Sequence, residues 1–250
     1  MTDRAVYKTV KGIDLRLELF HPSDDTPALR PAVLIIHGGG WHIGGPEKYH
    51  NMAREFTDAG FTAACMQYRL LADGHSVFDA VEDARDAFNY LLAHAEDLHI
   101  DPERIVVFGS SAGGHLAAML PLGKPTIAPA AFVLMNPVLD TSPEGFGHEE
   151  IGEKWKDISP LHQSVDALPP TLIFHGTNDG TVPFAGAAAF TEAARAAGKT
   201  CELHPQEGAG HNYWWDPKVY AFMMDRVHDL AIRHHILSSD SKPLNKVESS

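Results

Sequence analysis

The chain has 250 residues, with 20 Lys and Arg against 33 Asp and Glu, and a formal net charge of −13 at pH 7. That balance excludes a nucleic-acid backbone or an anionic membrane surface as partner, because both would repel it. The 44% hydrophobic and 21% charged fractions are those of an ordinary globule, which excludes disorder, collagen and a small disulfide scaffold. A chain of this length buries a large core without a metal or disulfide staple.

No run approaches the roughly 18–20 apolar residues of a membrane span. Met1 to Arg4 leads into no apolar h-region, so the expected location is the cytoplasm. Val6–Thr9 and Ile13–Phe20 read as two strands around Lys11-Gly12, with Leu15, Leu17 and Leu19 alternating. Ala32–Ile36 is a continuous apolar run ending in glycines, as in a strand covered on both faces. Glu47–Ala59 reads as a helix between Pro46 and Gly60, and Phe61–Gln67 as the next strand. Val77, Ala80, Val81, Ala84, Phe88, Leu91 and Leu92 keep helical spacing behind a capping Ser76.

Arg104–Phe108 is a short buried strand that runs into Gly109–Gly114, with helix-compatible small residues to Ala118. Ala130–Met135 and Thr171–Phe174 are further strands, and a helix over Phe184–Ala197 leads to a strand over Thr200–His204. A last helix starts at Asp216-Pro217, with Val219, Phe222, Met223, Val227 and Leu230 on one face. Strand and helix alternate throughout, which predicts an α/β fold with a mostly parallel twisted sheet and helices on both faces. The expected organisation is one domain over 1–237, a lid-like insertion at 140–162 and a polar, disordered tail at 238–250. Cys65 and Cys201 lie in apolar, strand-like stretches and are expected to be reduced core residues.

Gly109-x-Ser111-x-Gly113 sits between a predicted strand and a predicted helix, the context of a nucleophile elbow. The turn is so tight that a Cβ at either flank would clash, and it pushes the Ser111 hydroxyl clear of the backbone. Ser110 is excluded because its count places Phe108 where the first glycine belongs. A glycine-rich turn with a capping serine is the bland alternative. His37-Gly38-Gly39-Gly40-Trp41 follows another buried strand, and its consecutive glycines can aim several N–H groups at one oxyanion. A phosphate loop is the rival, but no Lys-Ser/Thr pair follows and no GxGxxG is present. Both motifs point to one sheet edge, where ligands bind in open α/β folds.

A serine nucleophile needs a base, and the base an orienting carboxylate. His211, in the Gly208–Asn212 loop after the last predicted strand, and Asp179, after the strand ending at Phe174, fall at the same edge. The order Ser111, Asp179, His211 is the chain order of such hydrolases. A surface histidine and a turn-capping carboxylate are the alternatives for these two. None of the 16 histidines has an HExxH or Cys/His spacing for a transition metal, and no cofactor is implied.

On these residues the chain resembles α/β-hydrolase-fold serine esterases of the hormone-sensitive-lipase-like type, and most the compact bacterial acetyl esterases related to acetylxylan esterases. The resemblance rests on Val33–Gly45, Val107–Ala118, Pro169–Pro183 and Glu207–His211, with a similar layout over nearly the whole chain. It implies Ser111 as nucleophile, His211 as general base and acid, Asp179 as orienting acid, and an oxyanion hole from the N–H groups of Gly39, Gly40 and Ala112. The N-terminal extension that caps larger members is missing, which implies a more open pocket and argues against bulky lipid substrates.

Trp41 beside the glycine loop and Trp214 after His211 are candidate pocket walls or sugar-stacking surfaces, with plain packing as the alternative. The expected function is hydrolysis of short acyl esters through an acyl-enzyme, with a small-molecule ester, an acylated sugar by family analogy, as partner. His211 must begin neutral, so activity should fall as pH drops through the range in which an imidazole protonates. An amidase of the arylformamidase kind and a catalytically silent binding module are the competing readings. A processive peptidase would need a gating domain for which the chain has no room, and a dienelactone hydrolase would more naturally carry cysteine at position 111.

Overall fold

The computed structural model describes residues 2–23, 28–123 and 126–244. Eight strands form one sheet in the order β1-β2-β4-β3-β5-β6-β7-β8: β1 Thr2–Val10, β2 Ile13–Phe20, β3 Arg30–Ile36, β4 Thr62–Met66, β5 Ile100–Ser110, β6 Ala131–Met135, β7 Thr171–Gly176 and β8 Cys201–Gln206. β2 is antiparallel to β1 and β4, and every later pairing is parallel. The parallel strands are buried on both faces, so they carry continuous apolar runs in place of alternation. Ala32, Leu34 and Ile36 of β3 point to one core layer, and Val33 and Ile35 to the other.

The first layer is closed by α2 (Val77–Ala93), α3 (Ala112–Ala118) and α5 (Phe184–Ala196); the second by α1 (His50–Asp58) and α6 (Pro217–Arg233). A short α4 (His148–Ile151) lies in the 140–162 connection. Side chains such as Phe108 and Phe132, fully buried against these helices, contribute about 1.5–3 kcal/mol each. Among the described residues no helix is long and apolar enough to cross a membrane.

Helix starts follow local chemistry. Ser76 and Asp79 form a reciprocal capping box on α2, and the Asp216 carboxylate accepts from the N–H groups of Lys218 and Val219 ahead of Pro217. The helix expected from Glu47 opens instead as a 3₁₀ turn over Pro46–Tyr49 and becomes α-helical only from His50. The free thiols of Cys65 and Cys201 are buried in opposite core layers, with the sheet between them. The expected disorder of the tail does not cover its first part: Leu244 is buried in the layer of α1 and α6. Positions 245–250 lie outside the described residues.

This topology places the site. β3 leads to α1 on one face, while its neighbour β5 leads to α3 on the other. The two connections therefore diverge and leave a crevice at the strand ends. Ile36 pairs with Gly109, so the glycine loop after β3 and the turn after β5 emerge side by side.

Candidate active site

Ser111 sits between β5 and α3 at φ 54° and ψ −120°, a conformation costing about 1–3 kcal/mol in a residue with a side chain. Its surroundings enforce it. The Ser111 N–H donates to the Met135 carbonyl at 2.8 Å, and its own carbonyl accepts from the Val138 N–H at 3.2 Å. The flanking glycines are obligatory: a Cβ on Gly109 would stand 2.4 Å from the Gly113 carbonyl oxygen, and one on Gly113 2.1 Å from that of Ile36.

β7 and β8 end next to each other, and the loops beyond them deliver Asp179 and His211. His211 Nε2 lies 3.0 Å from Ser111 Oγ, and its Nδ1 lies 2.7 Å from Asp179 Oδ2. The carboxylate only accepts, so Nδ1 carries the proton and Nε2 is left to accept from the serine hydroxyl. Asp179 Oδ1 takes two further bonds, from the N–H groups of Thr181 and Val182, both at 2.9 Å. Burial alone would raise the Asp179 pKa. Hydrogen bonds from His175, His211, Val182 and Thr181 outweigh burial and hold the carboxyl well below the usual carboxylate range.

Three further residues, none of them given a role from the sequence, brace this arrangement. His175 is fully buried, with Nε2 at 3.0 Å from the Val182 carbonyl and 3.3 Å from Asp179 Oδ2. The Asn136 side chain donates to the His211 carbonyl and accepts from the Gly176 N–H, linking the end of β7 to the loop after β8. The Tyr68 hydroxyl donates to the His37 carbonyl at 3.0 Å, its ring stacked on the imidazole at 4.1 Å. Tyr68 is held in turn by its neighbour Arg69, which grips the buried Asp83 of α2 at 2.7–2.8 Å.

The glycine loop turns back on itself. The N–H groups of His42 and Ile43 both donate to the Gly39 carbonyl, and Gly39 and Gly40 have φ of 130° and 60°. The Ala112 N–H opens α3, where no preceding helical carbonyl can accept it. Gly39, Gly40, Ser111 and His211 line one cavity of about 380 Å³.

The expected pocket residues separate. Trp214 lines this cavity, with Lys48, Tyr49, Phe146 and Trp215. Trp41 does not: it is 0% exposed, its indole edge-on to His115 at 5.2 Å and tilted against Phe146 at 5.5 Å. Its backbone at φ 63° turns the ring into the core, so it supports the 140–162 connection from behind. The base of that connection is tied by the Thr141 N–H to Ser159 Oγ and by His115 Nε2–H to the Ile158 carbonyl at 2.6 Å.

Residues 78–227 match the family model described as the prolyl oligopeptidase family, and residues 17–130 match the BD-FAE model. The structure of a thermophilic esterase from Thermogutta terrifontis is similar at a TM-score of 0.88 and 33% identity, covering 96% of this chain and 95% of that one. Its butyrate-bound form gives 0.87 and 34%, covering 96% of both. A probable isoprenylcysteine alpha-carbonyl methylesterase from Oryza sativa subsp. japonica is 29% identical over 78% of this chain and 54% of its own length. The ethyl acetate hydrolase of Pseudomonas putida is 36% identical over 54% of this chain and 44% of its own length. The chain thus spans about half the length of the curated relatives it matches.

Proposed function

The chain belongs to the prolyl oligopeptidase family and to the α/β-hydrolase-fold serine esterases, and on that premise we propose that it hydrolyses short-chain acyl esters, acetyl esters of carbohydrates among them, through Ser111, His211 and Asp179. The observation that carries this reading is the continuous relay from Ser111 Oγ through both His211 nitrogens to Asp179, opening into the cavity. The butyrate-bound form of the Thermogutta esterase supports a short acyl group.

In this mechanism Ser111 Oγ attacks the ester carbonyl carbon while His211 Nε2 takes its proton. The N–H groups of Ala112 and of Gly39 and Gly40 receive the developing oxyanion. His211 then returns the proton to the leaving alcohol, and water repeats the sequence on the acyl-serine. Asp179 stays ionised throughout and steadies the imidazolium.

The test is a set of initial rates on p-nitrophenyl acetate, butyrate, octanoate and palmitate, beside an acetylated xylo-oligosaccharide and N-formylkynurenine. Preference for the acetyl and butyryl esters, with acetate released from the sugar, is expected. Fast turnover of the formamide with poor ester rates would replace the esterase reading by an amidase one. Silence on all of them, with no fluorophosphonate labelling of Ser111, would overturn the catalytic assignment.

A further inference from the structure

The two walls of the cavity differ in chemistry. One is the glycine loop, closed by the Phe146 ring, whose Cζ would stand 3.9 Å from a Cβ on Gly40. The other follows His211 in the chain. There Trp214 is buried between Tyr49, at 6.1 Å and 15° between rings, and Trp215, at 4.1 Å and 23°. Trp214 covers one face of Trp215, and Trp215 is still 59% exposed. It is a large planar surface held at the mouth of the cavity, fixed by its N–H to the Asn212 carbonyl and by the capped start of α6.

The charge of the cavity runs against that of the protein. Among the described residues lining it, Lys48 is the only Lys, Arg, Asp or Glu, so none is a carboxylate, in a molecule of net charge −13. The adjacent Glu47 turns the other way, against Gly45 and into a separate cavity that it shares with Asp73 and His75. Repulsion from distant surface carboxylates is screened beyond about 8 Å at physiological salt, so an anion in the cavity responds to the charges close by, Lys48 on the wall and the ionised Asp179 behind His211.

The reaction fixes which half of the ester meets this wall. The carbonyl oxygen must face the glycine loop and the Ala112 N–H, and the leaving oxygen must lie within reach of His211 Nε2, which protonates it. The alcohol therefore departs along the wall of Asn212, Trp214 and Trp215, with Lys48 beside Tyr49. We propose that the leaving alcohol is a ring bearing a carboxylate: the ring stacks on the free face of Trp215 and the carboxylate pairs with Lys48. The substrates are then short-acyl esters of ring-containing hydroxy acids, either sugar acids or aromatic acids. This rests on the esterase reading above and narrows it.

The experiment compares kcat/KM for 4-acetoxybenzoate with that for its uncharged methyl ester, in the wild type and in Lys48→Met and Lys48→Arg. Taking the ratio of the two esters within each variant, and then between variants, cancels their different leaving-group strengths. The charged-to-neutral ratio should fall roughly fivefold in Lys48→Met, the size of a partly screened ion pair, and be regained in Lys48→Arg. It should also fall in the wild type when NaCl is raised to about 0.5 M. In Trp215→Ala the advantage of phenyl acetate over ethyl acetate should shrink, because stacking on the indole is lost. Acetylated galacturonate run beside 4-acetoxybenzoate separates the two sources: the one whose kcat/KM drops more in Lys48→Met is the natural class. A ratio unchanged between wild type and Lys48→Met, in a protein that still hydrolyses p-nitrophenyl acetate, overturns the proposal and leaves the esterase reading standing. Loss of all ester turnover in the wild type would strike the esterase reading itself.

Discussion

The fully buried imidazole of His175 stands with Nε2 3.3 Å from Asp179 Oδ2, on the same carboxylate oxygen that accepts from His211. Its Nε2 also faces the Val182 carbonyl at 3.0 Å; both neighbours are acceptors, so Nε2 carries the proton. His175 thus acts through Asp179 as a positioning residue: its N–H keeps Oδ2 turned toward His211. His175→Phe should lower kcat about ten- to a hundredfold with little change in KM, as expected when orientation is lost and substrate contacts are not. His175→Gln, which can place an amide N–H near the same point, should recover part of it. Equal losses in kcat for Phe and Gln would reduce His175 to a packing residue.

Asp179→Asn tests the next link in the relay. The amide can still bond His211 Nδ1, but it favours the tautomer whose Nε2 carries the proton and cannot accept from Ser111. A loss of about four decades in kcat is expected, against about six for Ser111→Ala. Asp179 is held ionised well below the usual carboxylate range, so the acid limb of the wild-type rate profile does not come from protonation of Asp179. Partial recovery of the Asn variant at alkaline pH, read from a pH–rate profile, would support the tautomer argument; full activity at neutral pH would refute it.

The parts of this site that were legible in the sequence are those set by local chemistry. Ser111 could be found because Gly109 and Gly113 are required within two residues of it by contacts of 2.1–2.4 Å, and because the elbow must join a strand to a helix. Asp179 and His211 could be found because topology places every parallel strand end on one edge. The bracing contacts themselves left no such trace: Asn136 and Tyr68 reach His211 and His37 by tertiary approach from distant segments, and His175 meets Val182 only through the turn after β7. A histidine in a buried strand end was the one available signal, and many such histidines only pack. Trp41 shows the reverse case. Adjacency to the glycine loop made it a candidate for the cleft beside a plain packing role, and a left-handed backbone at Trp41 itself swings the ring into the core, the packing alternative.

Two buried histidines make the fold acid-labile in a defined window. Burial pulls both His37 and His115 from 6.5 down to about 4, so each is neutral in the folded chain while the unfolded chain takes up a proton near 6.5. Their contribution is complete above pH 6.5 and is lost as pH falls toward 4, by up to about 3 kcal/mol each. Asp179 acts lower down, its contribution present above the usual carboxylate value and lost only in stronger acid. Urea unfolding at pH 7.5, 6 and 5 should therefore show a steep fall for the wild type and a shallower one for His115→Gln. An identical pH dependence in the two proteins would rule out His115 as a source.

The elbow glycines give a last prediction, with its own control. A Cβ on Gly113 would meet the Ile36 carbonyl oxygen at 2.1 Å and that of His37 at 2.6 Å. Neither obstacle can rotate aside, since both are backbone and β3 is paired with β4 and β5 on its two sides. Relief requires α3 to move off the sheet, which opens the layer formed by Ala112, Leu116 and Ala117 and displaces Ser111. Gly113→Ala should cost at least about 3 kcal/mol, or roughly 6–12 °C in Tm, and should abolish fluorophosphonate labelling in whatever fraction folds. Gly180 is also in a tight loop of the site, but a Cβ there meets nothing within 4 Å. Gly180→Ala should leave Tm within about 2 °C of wild type. Equal melting of the two variants would mean that the close approach of α3 to β3 is not what makes the glycine obligatory.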